Sequence, residues 1–119
     1  MVATVLLVDD AQFQRTRCAK LLMDHGYQVE EAENGRVAVQ KYEEIRPDVV
    51  LMDITMPVLD GINALKEIRE RYPDANVVMC TALGQQSMVI EAIKAGAKDF
   101  IVKPFEQDKV LQAISKLTG

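Results

Sequence analysis

Five residues in this chain have types that could do chemistry and that a hydrophobic core does not need: Asp9, Asp10, Asp53, Thr81 and Lys103. Each stands directly after, or at the end of, a short apolar run. The runs read VLLVDD at 5–10, VVLMD at 49–53, VVMCT at 77–81 and FIVK at 100–103. Two carboxylates about 5 Å apart repel by about 3 kcal/mol at an effective dielectric near 20. Three acids and one lysine sum to −2. Such a cluster holds a raised pKa or recruits a divalent cation. The available ligands are all oxygens, from carboxylates, backbone carbonyls and water. Oxygen ligands select a hard ion, and Mg2+ suits a small, partly hydrated site. A divalent ion, an aspartate, a hydroxyl and a lysine together describe phosphoryl transfer. Asp53 would attack phosphorus and become an aspartyl phosphate. Mg2+ and Lys103 would neutralise the phosphoryl oxygens, and Thr81 would donate a hydrogen bond to one of them.

Each residue also has an ordinary explanation. Asp10 could cap the following helix. Asp53 could open a turn, Thr81 could be a β-branched strand end, and Lys103 could be solvated. Their coincidence on one rim separates the readings, because the ordinary explanations must all hold independently.

The rim follows from the elements. Residues 3–8 (ATVLLV), 48–52 (DVVLM), 76–80 (NVVMC) and 99–102 (DFIV) are compact strand candidates. Most are nearly continuous in apolar residues, as parallel strands covered on both faces are. Residues 27–32 (YQVEEA) are more polar, which suits an edge strand. Helical spacing falls between them. Helix one carries Cys18, Leu21 and Leu22 and ends before Gly26. Helix two starts at Asn34 and carries Ala38, Tyr42 and Ile45. Helix three carries Ile62, Leu65 and Ile68 and stops before Pro73. Helix four carries Val89, Ala92, Ile93 and Gly96, and helix five Val110, Leu111, Ile114 and Leu117. Strict β–α alternation predicts one open parallel sheet with helices on both faces. Ligands of such sheets sit beyond the carboxyl ends of the strands, where strand order reverses. All five chemical residues fall at those ends.

Composition narrows the classes. The 119 residues are 49% apolar and 27% charged, enough for one cored domain. A net charge of −4 argues against nucleic acid or an anionic membrane as the main partner. No apolar run approaches the ~20 residues of a membrane span. The early first strand predicts no signal peptide. Cys18 and Cys80 form no CxxC pair and His25 is alone, so two reduced, buried thiols in a cytoplasmic protein are expected.

The motifs VDDA at 8–11, LMDITMPVLDG at 51–61, TA at 81–82 and AGAKDFIVKPF at 95–105 resemble the receiver domain of two-component response regulators. The likeness is strongest to the single-domain chemotaxis regulators and spans essentially the whole chain, 1–119. It implies a doubly wound (βα)5 flavodoxin-like fold whose five-stranded parallel sheet has the order 2-1-3-4-5. It implies that Asp53 is phosphorylated by a histidine kinase. Asp10 would bind Mg2+ (or Mn2+) directly and Asp9 through water, with Thr55 contributing its backbone carbonyl. Thr81 would follow the phosphoryl group, Lys103 would pair with it, and Phe100 would be the switch aromatic. A cis bond between Lys103 and Pro104 is implied too. Phe100 lacks the phenolic OH of the Tyr often found there. Thr55 and Leu83 replace more polar residues beside the path of attacking water, which bears on the lifetime of the phosphoryl group.

The implied protein is a cytoplasmic monomer that phosphorylates and dephosphorylates only itself. Its partners would be a kinase, a phosphorylation-dependent target such as a flagellar switch protein, and a phosphatase. A phosphorelay intermediate or an excised receiver would look similar. No output domain is expected after helix five. Two other classes fit less well. Aspartate-nucleophile phosphohydrolases place their acids as DxD rather than DD and usually carry a cap. An FMN carrier needs a hydroxyl- or Gly-rich phosphate loop after strand one, where this chain has DDAQ.

Overall fold

The computed structural model describes residues 2–82 and 84–118. Ten elements alternate: β1 (Thr4–Val8), α1 (Gln12–Asp24), β2 (Gln28–Ala32), α2 (Gly35–Ile45), β3 (Val49–Asp53), α3 (Gly61–Arg71), β4 (Val77–Thr81), α4 (Gln86–Lys94), β5 (Asp99–Val102) and α5 (Gln107–Thr118). The strands form one sheet in the order β2-β1-β3-β4-β5, and every pairing is parallel. The central strands β1, β3 and β4 are buried almost throughout. The polar strand β2 lies at one edge and β5 at the other.

Side chains alternate across a strand, so each strand feeds two cores. Leu6, Val8, Val50, Met52, Val77 and Met79 pack with the α2–α4 helices. Val5, Leu7, Val49, Leu51, Val78 and Cys80 pack with α1 and α5. Continued to the strand ends, this parity sends Asp9, Asp53 and Lys103 toward the second side. It sends Thr81 and Phe100 toward the first. The strand order reverses between β1 and β3, so Asp9, Asp10 and Asp53 flank the crevice where such sheets bind ligands.

Helix starts obey local chemistry. The Asn34 side chain accepts the Val37 N–H at 2.9 Å, and Asp60 accepts the Asn63 N–H at 2.8 Å. Both are N-cap bonds. At α1, by contrast, Ala11 occupies the cap position without a side-chain bond. Asp10 is therefore not a helix cap.

Three expectations need correction. Helix four does not bury the stripe Val89, Ala92, Ile93, Gly96. Only Ala92 is buried, Ile93 is exposed, and Gly96 lies beyond the helix with φ 106°. α4 packs on β4 and α3 through Ala92 and the partly buried Val89, and its other apolar residues face outward. Strand β5 is likewise half open, with Phe100 and Val102 exposed. Of the two free thiols, Cys80 is buried but Cys18 only partly. Burial pushes Cys18 up to about 11 and Cys80 higher still, so neither ionises near pH 7.

Glycine sets how closely α3 approaches the site. A Cβ on Gly61 would lie 1.9 Å from the Asp53 carbonyl oxygen and 3.0 Å from the Ile54 Cα. Gly61 also donates its N–H to the Ile54 carbonyl at 2.8 Å. Even one methyl group therefore forces apart the backbone that carries Asp53. Gly61→Ala should destabilise the protein by about 1–3 kcal/mol, the usual cost of overpacking. A lowered urea midpoint at unchanged m-value is the expected result.

Candidate functional site

The crevice gathers three carboxylates. One oxygen from each of Asp9, Asp10 and Asp53 lies within 4.8 Å of the others, the one such acidic group of three among the described residues. Asp9 is buried at 8% exposure, Asp53 is half-buried and Asp10 is exposed. Lys103 reaches in from the end of β5. Its Nζ lies 2.9 Å from Asp9 Oδ2 and 3.0 Å from Asp53 Oδ2. The Lys103–Pro104 peptide is cis, as the resemblance implied.

The backbone holds these groups in place. Asp9 Oδ1 accepts the Ala11 N–H at 2.8 Å, and Asp53 Oδ1 accepts the Ile54 N–H at 3.1 Å. Lys103 donates its own N–H to the Thr81 carbonyl at 2.7 Å. Arg15 is a support that the sequence reading missed. Its guanidinium donates to the Asp9 carbonyl at 2.5 Å and pairs with Glu31 at 3.1 Å. It thus ties the β1–α1 turn to β2.

Electrostatics follow from the charge excess. Burial raises the Asp53 pKa; Lys103 opposes the rise through its hydrogen bond and charge, and Asp9 and Asp10 add to it. For Lys103, burial lowers the pKa, but hydrogen bonds to Asp9 and Asp53 and their charges outweigh burial and raise it. Lys103 is therefore charged and offsets only part of the acidic excess. Every donor facing the crevice is an oxygen, and negative charge remains in surplus. The donor set thus fits a hard divalent cation held by carboxylates.

Thr81 is 2% exposed. Its hydroxyl reaches Gln85 Oε1 at 3.0 Å and the Ala82 carbonyl at 3.1 Å. Gln85 Oε1 also accepts the Ala82 N–H at 2.7 Å, and Gln85 Nε2 donates to Thr55 Oγ1 at 3.0 Å. Nothing in the sequence pattern singled out Gln85. Phe100 stands 44% exposed beside an open groove of about 280 Å³. Thr81, Gln85, Val89 and Ile90 line the same groove. Thr55 is exposed, and Leu83 lies outside the described residues.

This fold, with an acidic triad, a lysine and a buried hydroxyl at the carboxyl edge of a parallel sheet, defines a class. Residues 5–115 match the response regulator receiver domain, and the chain belongs to that family of two-component signalling domains. It is 58% identical over 117 residues to the chemotaxis protein CheY of Bacillus subtilis, covering 98% of each chain. Among solved structures it resembles the Vibrio cholerae chemotaxis protein CheY4, with TM-score 0.92 and 33% identity over 98% of this chain and 99% of that one. It also resembles a chain of the CheX-CheY-BeF3-Mg+2 complex from Borrelia burgdorferi, with TM-score 0.91 and 38% identity over 98% and 90%.

The raised Asp53 pKa has a sign that can be checked. An acid that holds its proton more tightly folded than unfolded loses stability on ionising. That loss begins near the unfolded value of about 4 and grows as pH rises through the folded value. In a chelating buffer at pH 7, Asp53→Asn should be more stable than the wild type. The gap should shrink as pH falls toward about 4. Urea midpoints across that range read it directly, and a less stable variant would mean that the Lys103 pair outweighs burial.

Proposed function

We propose that this chain, as one receiver domain over 1–119, takes a phosphoryl group on Asp53 from a histidine kinase and so switches a binding surface. The observation that carries the reading is the position of Lys103 Nζ, 3.0 Å from Asp53 Oδ2 beside three clustered acids. In the transfer, an Asp53 carboxylate oxygen bonds to phosphorus as the bond from phosphorus to the kinase imidazole breaks. The departing nitrogen keeps the electron pair. Asp9, Asp10 and Asp53, with the Thr55 carbonyl, would hold Mg2+ or Mn2+. When bound, such an ion supplies positive charge against the phosphoryl oxygens. Lys103 offsets the charge of another oxygen, exchanging its contact with Asp53 for one with the phosphoryl group. The Thr81 hydroxyl turns toward the phosphoryl group, and Phe100 moves into the groove beside it.

The surface that changes would be the one formed by α4, β5 and α5. Met88, Ile90, Ile93, Phe100 and Val102 are exposed there, more apolar surface than solvent alone favours. The likeness to CheY supports a flagellar switch protein as the target. The CheX-CheY complex among the similar structures supports a second protein partner, and a phosphatase is the partner the receiver resemblance implies. A monomer in the cytoplasm fits these roles. The reaction changes only the protein itself, through phosphorylation and autodephosphorylation.

Two measurements test this. With acetyl phosphate and Mg2+, intact mass should rise by one phosphoryl group, and both chelation and Asp53→Asn should abolish the rise. Unchanged labelling of that variant would refute the assignment of the acceptor. Separately, Asp10→Ala should weaken Mg2+ binding at least about tenfold, since a unit charge a few ångströms from a divalent ion is worth more than ~1.4 kcal/mol. Asp24→Ala, a surface control in α1, should bind the ion as the wild type does.

A further inference from the structure

Gln85 stands where α4 should be capped, yet its side chain does not cap the helix. It folds back across the β4–α4 turn and, besides Met88 Sδ at 3.7 Å, joins three groups. Its Oε1 accepts the Thr81 hydroxyl at 3.0 Å and the Ala82 N–H at 2.7 Å. Its Nε2 donates to Thr55 Oγ1 at 3.0 Å. The amide orientation is fixed by this set, because the Ala82 N–H can only donate and must face the oxygen. One side chain thus bridges the loops that follow β3 and β4, over the rim of the acidic crevice.

A hydroxyl carries a single proton. In this structure both acceptors of the Thr81 hydroxyl, Gln85 Oε1 and the Ala82 carbonyl, belong to the β4–α4 turn. Neither belongs to the acidic crevice. For Thr81 to donate to a phosphoryl oxygen on Asp53, it must first turn away from both, of which Gln85 Oε1 is the nearer. We infer that Gln85 is a positioning residue, a latch that holds Thr81 in its resting orientation and is released when Thr81 turns to the phosphoryl group. This rests on the proposed phosphorylation of Asp53 and adds to it the element that opposes the switch. Gln85 directly precedes the first residue of α4, so release also frees the start of the helix that bears Met88 and Ile90. The latch therefore gives Thr81 a route to α4 that does not pass through Phe100.

The latch has a sign that a merely structural residue would lack. Its removal should make the activated form easier to reach. Gln85→Ala and Gln85→Met both delete the acceptor, and Met keeps the length and bulk of the side chain. Both should bind beryllofluoride, in the presence of Mg2+, about 2- to 12-fold more tightly than the wild type, the net worth of one hydrogen bond. Titration followed by the Ala82 amide resonance reads the affinity. The same resonance in the unliganded variants should move toward its position in beryllofluoride-bound wild type. Equal or weaker binding by Gln85→Met, with wild-type binding intact, overturns the latch and leaves the acceptor assignment standing. A wild-type protein that takes up no beryllofluoride with Mg2+ overturns the phosphorylation reading itself, and the latch with it.

Discussion

Lys103 brings one positive charge into a corner that holds three carboxylates, and the rest of the site depends on that imbalance. Carboxylates about 5 Å apart repel by about 3 kcal/mol at an effective dielectric near 20. The fold nonetheless brings them together because parallel register leaves little choice. Val8 pairs with Met52 and Asp53 with Cys80, so the carboxyl ends of β1, β3 and β4 finish level. Alternation along each strand then turns Asp9, Asp53 and Lys103 to the same side. Backbone N–H groups hold one oxygen each of Asp9 and Asp53, and Lys103 bridges the other two. In the proposed function, that surplus negative charge would raise the affinity of the site for a cation and, with it, for a phosphoryl group.

In the proposed switch, a buried hydroxyl would turn that charge into a signal. Leaving a buried donor without a partner costs about 1–3 kcal/mol, so Thr81 can exchange partners but cannot simply let go. A phosphoryl oxygen is a stronger acceptor than an amide carbonyl, because hydrogen bonds to charged groups are roughly twice as strong. The exchange is thus favourable but small. Moving a two-state protein from 1% to 99% active needs about 5.5 kcal/mol. In the proposed switch one exchanged bond would supply only part of this, and the remainder would come from Lys103, from repacking near Phe100, and from a partner that binds the active form.

Much of this was legible in the sequence, for a physical reason. Strand ends were visible because central parallel strands are almost wholly apolar, so the first polar residue marks the rim. Asp9, Asp10, Asp53, Thr81 and Lys103 were all found in that way. The start of α2 was visible because Asn34 caps it. What escaped depended on distant geometry. Gln85 escaped because the fold brings Thr55 and Thr81 to either side of it, and no local pattern records that. Val58 sits at φ 69° although β-branched residues rarely adopt it. A γ-turn-like bond from the Leu59 N–H to the Pro57 carbonyl at 2.8 Å closes around it. That tight reversal lets Gly61 press on the Asp53 backbone and Gly35 on the Leu59 carbonyl, contacts that a sequence does not announce.

The misread stripe of α4 is informative in its own right. The other helices that cover the sheet bury two or more residues each, whereas α4 buries Ala92 alone. Its exposed pair Lys66–Glu91 at 3.2 Å adds at most about 1 kcal/mol. With so little apolar anchorage, α4 belongs to the weakly held end of the structure, the part from which moving elements are drawn. Of the stripe that the sequence pattern assigns to its core face, Ala92 is buried and Val89 partly buried against the core, while Ile93 stays in water with Met88 and Ile90. In the proposed function, a helix that is loosely held, rich in exposed apolar groups and joined to the Thr81 hydroxyl through Gln85, the residue before its first, would convert a change of charge at Asp53 into a change of surface.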